Sequence, residues 1–312
     1  MHSHDHGGHA SAAPTDRGPS HQRRLAIACG ITVGIVLAQA TGAWITGSLA
    51  LLTDAVHSLT DSIGLGVALI AAGLMYRAAT AQRTWGFRRV EILAGLFQAA
   101  LLLSIGVYAA VEGISRLSSP PTVLHLELLV FGAVGLAGNI VSLLVLSGGR
   151  KANLNMRAAF LEVAADALGS LGVMVAAVVI WTTGWQQADA VAALAIAALI
   201  IPRAALLLRE TARVLMEFTP RGLDLEQVRR HMLAQEHVQE VHDLHASMVA
   251  TGLPVISAHV VVDDECFQDG CAPETLVRLR SCVAEHFDIS VEHSTFQLET
   301  RTIAAGETHT HA

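Results

Sequence analysis

The sequence predicts an α-helical membrane protein: a bundle of six transmembrane helices followed by a C-terminal cytoplasmic α+β domain of ferredoxin-like character, in the order α-β-β-α-β. Three observations carry that prediction. The 312 residues are 52% hydrophobic and only 15% charged, where a soluble globular chain averages about 25% charged. Six runs reach the ~20 apolar residues that cross a bilayer as a helix. After "FTPRG" at 218–222 the composition turns to that of an ordinary soluble domain. The net charge of -7 is not gathered into one block, so composition offers nothing for a nucleic-acid partner.

Residues 1–24 form a polar, His-rich segment, "MHSHDHGGHA" and onward, without the apolar core and small-residue cleavage site of a secretory signal. The first apolar run is therefore expected to stay in the protein. The six spans are Leu25 to Ile45, Leu49 to Met75, Val90 to Val111, Val123 to Leu146, Ala158 to Trp181 and Ala188 to Leu208, within a six-helix transmembrane domain of 25–210. Arg17, Arg23 and Arg24 precede the first span; Arg77, Arg83, Arg88 and Arg89 lie between the second and third. Arg150, Lys151 and Arg157 lie between the fourth and fifth, and Arg203, Arg209, Arg213 and Arg221 end or follow the sixth, against Arg116 alone on the other side. The positive-inside rule then puts both termini in the cytoplasm.

A linker is expected over 211–222 and a soluble domain over 223–300. "LDLEQVRRHMLAQ" and "APETLVRLRSCVAEHF" have helical spacing; "VQEVHDLHASMV", "PVISAHVVVD" and "ISVEHSTFQLE" read as strands. The tail, 301–312, has no periodicity and is expected to be disordered. Among Cys29, Cys266, Cys271 and Cys282 there is no CxxC pair, so a disulfide framework is not expected. Cys266 and Cys271 read equally as bystander thiols or as members of a metal site.

The second span carries the residues that need explaining. "TDAVHSLTDSIG" at 53–64 places Asp54, His57 and Asp61 on one helix face, and "EVAADALG" at 162–169 in the fifth span places Glu162 and Asp166 on another. A charge in mid-membrane costs about 2.5–3.5 kcal/mol, and such residues mark ion or proton pathways. One imidazole and three carboxylates in two i, i+4 pairs match the four tetrahedral ligands of Zn²⁺, at about 2.0–2.2 Å for nitrogen and oxygen. Asp54, one turn before His57, is placed to orient the imidazole from behind. Neither face has Cys or Met, which disfavours Cu(I). A metal-free proton relay uses the same residues and stays open at this point. Gln39, Gln98 and Asn139 suit interhelical hydrogen bonds, and Gly64, Gly66, Gly169 and Gly172 suit close helix approach.

"GSLALLTDAVHSLTDSIGL", "WGFRRVEILAGLFQAALLL" and "NMRAAFLEVAADALGSLGV" resemble the cation diffusion facilitator family of divalent-metal exporters, and the resemblance runs through all six spans and the soluble domain. It implies a tetrahedral transport site of His57, Asp61, Glu162 and Asp166. Zinc-selective members commonly have His or Asp where this chain has Glu162, and bacterial members with Glu there look like broader zinc, cobalt and cadmium resistance exporters. The soluble domain in this family resembles a metallochaperone, dimerises and binds metal; the resemblance places ligands on His242, His259 and His293, with His245, Asp263 and Glu299 as weaker candidates. Arg88, Arg89 and Glu91 resemble the family's charge cluster that interlocks the bundle with the soluble domain.

The expected function is proton-coupled export of Zn²⁺, with Co²⁺ and Cd²⁺ as further cargo, by a homodimer in the plasma membrane. His57, Asp61 and Asp166 carry the protons, because ligands must lose protons to hold metal. No prosthetic cofactor is implied; zinc serves as cargo and as a regulatory ion. The His-rich "HSHDHGGH" and terminal "HTH" gather metal at the cytoplasmic face. Two other classes compete. An intramembrane metalloenzyme would need a signature such as HExxH, which does not occur in the sequence. A membrane-anchored metal sensor, or a carrier of Mn²⁺, Fe²⁺ or Ni²⁺, stands as the alternative.

Overall fold

The computed structural model describes residues 19–75, 79–147, 154–287 and 289–306. The His-rich segments expected to gather metal, "HSHDHGGH" and "HTH", fall outside these residues. Six long helices occupy the six expected spans: α1 Pro19–Thr46, α2 Leu49–Met75, α3 Val90–Ser118, α4 His125–Ser147, α5 Leu154–Thr183 and α6 Gln187–Leu215. Among the described residues four stretches are long and apolar enough to cross a membrane, those of α3, α4, α5 from Phe160, and α6; α1 adds a shorter apolar stretch, Gly30–Thr46. The linker expected from 211 starts inside α6, which runs to Leu215.

The chain divides into two compact units, residues up to 63 with 101–203, and residues 64–100 with 204 onward. In the first, α4 packs on both α1 and α5. Small residues make this possible. Added carbon at Gly42 would meet the Phe131 ring, and a Cβ at Gly138 would sit 2.6 Å from Ile35 Cδ1, so both glycines are sites of close helix contact. Of the glycines read from sequence, Gly169 does face a neighbour, whereas a Cβ at Gly172 would meet nothing within 4 Å among the described residues.

The α1–α2 connection is a two-residue turn whose chemistry the sequence reading missed. Gly47 leaves α1 at φ +69°, a conformation that Gly adopts without the steric cost of a Cβ. The first turn of α2 then exposes backbone N–H groups that need partners. Asp189, buried at the start of α6, supplies them: it accepts from Leu49 N at 2.7 Å, Ala50 N at 3.3 Å and the Ser48 hydroxyl. A carboxylate there also complements the positive end of the helix dipole. Arg116 donates to Gly47 O at 2.8 Å from the end of α3.

In the second unit, α7 Leu225–Leu233 begins at Asp224, whose carboxylate accepts from Glu226 N and Gln227 N. β1 Val238–Ala250 and β2 Leu253–Val262 pair antiparallel around Gly252, and β3 His293–Glu299 adds parallel to β2, giving the order β1-β2-β3. α8 Cys266–Asp269 and α9 Ala272–Glu285 lie between β2 and β3. The α-β-β-α-β order is recovered with one extra turn of helix, α8, and the sheet is small and mixed. Val228 and Met232 of α7, Leu279 and Val283 of α9, and Val241, Ile256, Val260 and Val262 of the strands form one core. Alternation along each strand fills it from one face.

Three further expectations are corrected here: the start of β3, the disorder of the tail and the absence of a disulfide. β3 starts at His293, later than the expected strand, and the tail is not disordered from 301: Thr300 caps a single turn, α10 Arg301–Ala304. Cys266 and Cys271 are joined in a disulfide, because α8 followed by Gly270 at φ +87° folds the chain back until the two Cα atoms are 4.7 Å apart. Arg89 of the expected interlock pairs with Glu217 at 2.8 Å, both within this unit and both exposed. Such a pair contributes about 0–1 kcal/mol.

Candidate metal centre

Helix periodicity builds the first cluster. The i, i+4 spacing of His57 and Asp61 on α2 brings Nε2 to 3.6 Å from Asp61 Oδ2, and α5 brings Asp166 Oδ1 to 3.9 Å from the same nitrogen. One ligand atom from each of the three lies within 4.8 Å of the others, and all three residues are buried. In a tetrahedron with 2.1 Å bonds, ligand atoms stand about 3.4 Å apart. The two separations from His57 Nε2 are a few tenths wider, and the two carboxylates lie within 4.8 Å of each other.

Glu162, the fourth expected ligand, is half-buried one turn before Asp166. Its carboxyl lies beside that of Asp61, while Oε1 lies 3.6 Å from Arg203 on α6. It touches the cluster without joining the trio. Arg203 was not singled out from the sequence as a neighbour of the site.

Asp54, expected to stand behind His57, makes its hydrogen bonds elsewhere. Its Oδ2 accepts from Gln39 Nε2 at 2.5 Å and from Ser170 Oγ at 3.0 Å; Ser170 Oγ in turn accepts from Asn139 Nδ2 and Gln39 Nε2, each at 3.3 Å. Ser170 thus uses its one donor and both lone pairs. The network ties α1, α2, α4 and α5 together beside the cluster. Gly169 is what admits it, since a Cβ there would strike Asp54 Oδ1. Gln39 and Asn139, read from sequence as makers of interhelical hydrogen bonds, do make them and so support the cluster's helices, and Ser58 holds Asp166 by a hydrogen bond. Among the described residues, His57 Nδ1 and Asp166 Oδ1 are buried with no hydrogen-bond partner, the condition expected of groups kept for a ligand.

Strand register builds the second cluster. His242 on β1 is the register partner of His259 on β2, and their rings meet edge to face with centroids 5.3 Å apart. A bulge with Asp243 at φ +50° follows His242. Glu299, buried at the end of β3, lies 2.6 Å from His242 Nε2, so His242, His259 and Glu299 bring ligand atoms within 4.8 Å of one another. His293, expected as the third ligand, is not there. It opens β3 opposite Val255, four residues of register away from His259, and sits edge-on to Trp85 at 4.8 Å. His245 faces Asp243 at 3.1 Å, and Asp263 is held by His237 and Gln239, so neither of these weaker candidates joins the trio.

Comparison with known proteins agrees with both halves. The family described as cation efflux transmembrane domain matches residues 25–216, and that described as cation efflux protein, cytoplasmic domain, matches residues 220–300. The metal cation efflux system protein CzcD of Cupriavidus metallidurans is 37% identical over 298 residues, covering 96% of this chain and 89% of that protein. A cadmium, cobalt and zinc/H(+)-K(+) antiporter of Bacillus subtilis is 38% identical over 283 residues, covering 90% of each. The zinc transporter ZitB of Escherichia coli is 35% identical over 300 residues, covering 96% and 92%. With a multi-pass helical region, a soluble domain and relatives of this similarity over nearly the whole chain, the protein belongs to the cation efflux family of membrane transporters.

Proposed function

We propose that this chain exports Zn²⁺, with Co²⁺ and Cd²⁺ as further cargo, from the cytoplasm across the plasma membrane in exchange for protons. The observation that carries the reading is the convergence of His57, Asp61 and Asp166 within 4.8 Å on two neighbouring apolar helices. Glu162 completes the ligand set by turning from Arg203 toward the ion. Several carboxylates gathered in a low-dielectric setting need a compensating positive charge. A divalent ion and protons both supply it, so the two compete for the same atoms.

That competition is the coupling step. When the site opens to the cytoplasm, metal displaces protons from His57, Asp61 and Asp166. When it opens outward, protons return to the imidazole and the carboxylates, and the ion leaves. Six spans with both termini cytoplasmic are supported by the Lys and Arg distribution. Dimerisation through a ferredoxin-like domain is supported by the match of residues 220–300 to the family's cytoplasmic domain. His242, His259 and Glu299 form a regulatory zinc site in that domain. Proton exchange is supported by the similarity to the Bacillus antiporter.

Radioactive zinc uptake by inside-out vesicles tests the reading. Uptake should require an acidic lumen and collapse when the pH gradient is dissipated. Uptake that is indifferent to the gradient would defeat proton coupling, and no uptake from vesicles holding folded protein would defeat the carrier reading.

A further inference from the structure

We propose that His237, Cys266 and Cys271 form a thiolate-containing metal site, separate from both clusters above, which takes a soft divalent ion such as Zn²⁺ or Cd²⁺ only while the cysteine pair is reduced. A ring nitrogen of His237 and the two sulfurs lie within 4.8 Å of one another. Three segments converge to place them. β1 is preceded by His237, held at φ +68°. Asp263, just past the end of β2, binds the imidazole Nδ1 at 3.2 Å, and its own N–H donates to His237 O at 3.0 Å. Gln239 donates to the other Asp263 oxygen at 2.5 Å, so the carboxylate that fixes the ring is itself fixed. α8 and Gly270 then return Cys271 beside the buried Cys266.

A carboxylate orienting a histidine is the arrangement that supports metal-binding imidazoles. Two thiolates beside it select a soft ion, unlike the all-nitrogen-and-oxygen clusters elsewhere in the chain. The structure shows the oxidised pair. Thiol–disulfide exchange with a dithiol, which leaves as its own disulfide, delivers two electrons and two protons and yields two thiols. Metal binding then releases those two protons. The disulfide sulfurs are not thiolates and do not hold the ion, so loading follows the redox state of the compartment; that this is the reducing cytoplasm rests on the topology proposed above.

The test uses the full chain in detergent, titrated with Co²⁺ after reduction by dithiothreitol or after oxidation. The reduced chain should show a thiolate-to-cobalt charge-transfer band in the near ultraviolet, and the oxidised chain should show none. Cys271→Ser should abolish the band, and His237→Ala should shift its titration to higher cobalt. Cys282→Ala should leave it unchanged, since Cys282 is a buried free thiol and burial pushes its pKa up. Asp166→Ala should also keep the band, so that loss of transport and loss of this site are read separately. Protection of Cys266 and Cys271 from maleimide by Cd²⁺ gives the same answer without substitution. No band in the reduced wild type, a band that survives Cys271→Ser, or no cadmium protection would overturn the site.

Discussion

The membrane cluster and the cytoplasmic cluster use similar chemistry, imidazole with carboxylate, yet they are assembled by different geometry. On α2 and α5 a four-residue spacing stacks His57 over Asp61, and the partner helix needs only to present Asp166. On the sheet the ligands come from three strands, and their meeting depends on the antiparallel register of His242 with His259 and on the parallel register that sets Glu299 opposite Val261. A helix-built site concentrates its information in short stretches of sequence. A strand-built site distributes it over registers that a one-residue slip would undo.

The sharpest way to break the comparison is to remove one ligand from each cluster and read transport. Asp166→Ala or His57→Ala should reduce zinc-driven proton movement in liposomes to background, because the ion loses a ligand where water cannot replace it. His242→Ala should leave transport at saturating zinc near wild type. Transport surviving in Asp166→Ala would move the cargo site elsewhere.

A step smaller is the support of the membrane cluster. Gly169→Ala pushes a methyl group into the Asp54 carboxylate, an overpacking that costs about 1–3 kcal/mol. Loss of such supporting contacts elsewhere lowers metal affinity about 10–100-fold, and we expect a rise of that order in the KM for zinc. Gly172→Ala, which meets nothing within 4 Å, is the control and should be silent in both thermal melting and transport.

The difference between the clusters also explains what could be read from the chain alone. The six helices, the change at 218–222 and the α2 and α5 faces were legible, because hydropathy and the 3.6-residue period are local signals. Asp54's true partners were not: the i, i+3 relation to His57 is local, whereas Gln39 and Ser170 come from α1 and α5. Asp189 escaped for the same reason, since capping α2 from α6 leaves no trace in the spacing of either. His293 against Glu299 was decided by parallel register, which the strand pattern does not encode. The Cys266 and Cys271 bridge depended on the turn at Gly270.

Glu162 sits between the two regimes, since helix spacing predicts it as a ligand while Arg203 competes for it at 3.6 Å. Glu162→Asp shortens the reach to both. If Glu162 turns inward to the ion, the shorter acid should raise the zinc KM by about tenfold, in the range of disturbed metal-site partners, and change the ratio of cadmium to zinc transport. Arg203→Met should move the zinc KM the other way by releasing the carboxyl. Equal and unchanged cadmium and zinc rates in both variants would assign Glu162 to a structural pair with Arg203.

The smallest effect on transport, and the one that most directly separates strand register from sequence pattern, lies in the cytoplasmic domain. Zinc that binds only the folded form at a hundred times its Kd should stabilise it by about 2.7 kcal/mol, visible as a rise in the thermal midpoint of the full chain. Glu299→Gln keeps the shape of β3 and removes the anionic ligand, so most of that rise should vanish while vesicle transport changes little. His293→Ala should keep the rise, because its ring stands against Trp85 and four residues of register from His259. The reverse result, with zinc stabilisation lost in His293→Ala and kept in Glu299→Gln, would mean that metal binding draws β3 into a different register. The strand-built site would then be one that its ligand assembles, unlike the helix-built site, whose ligand atoms already converge.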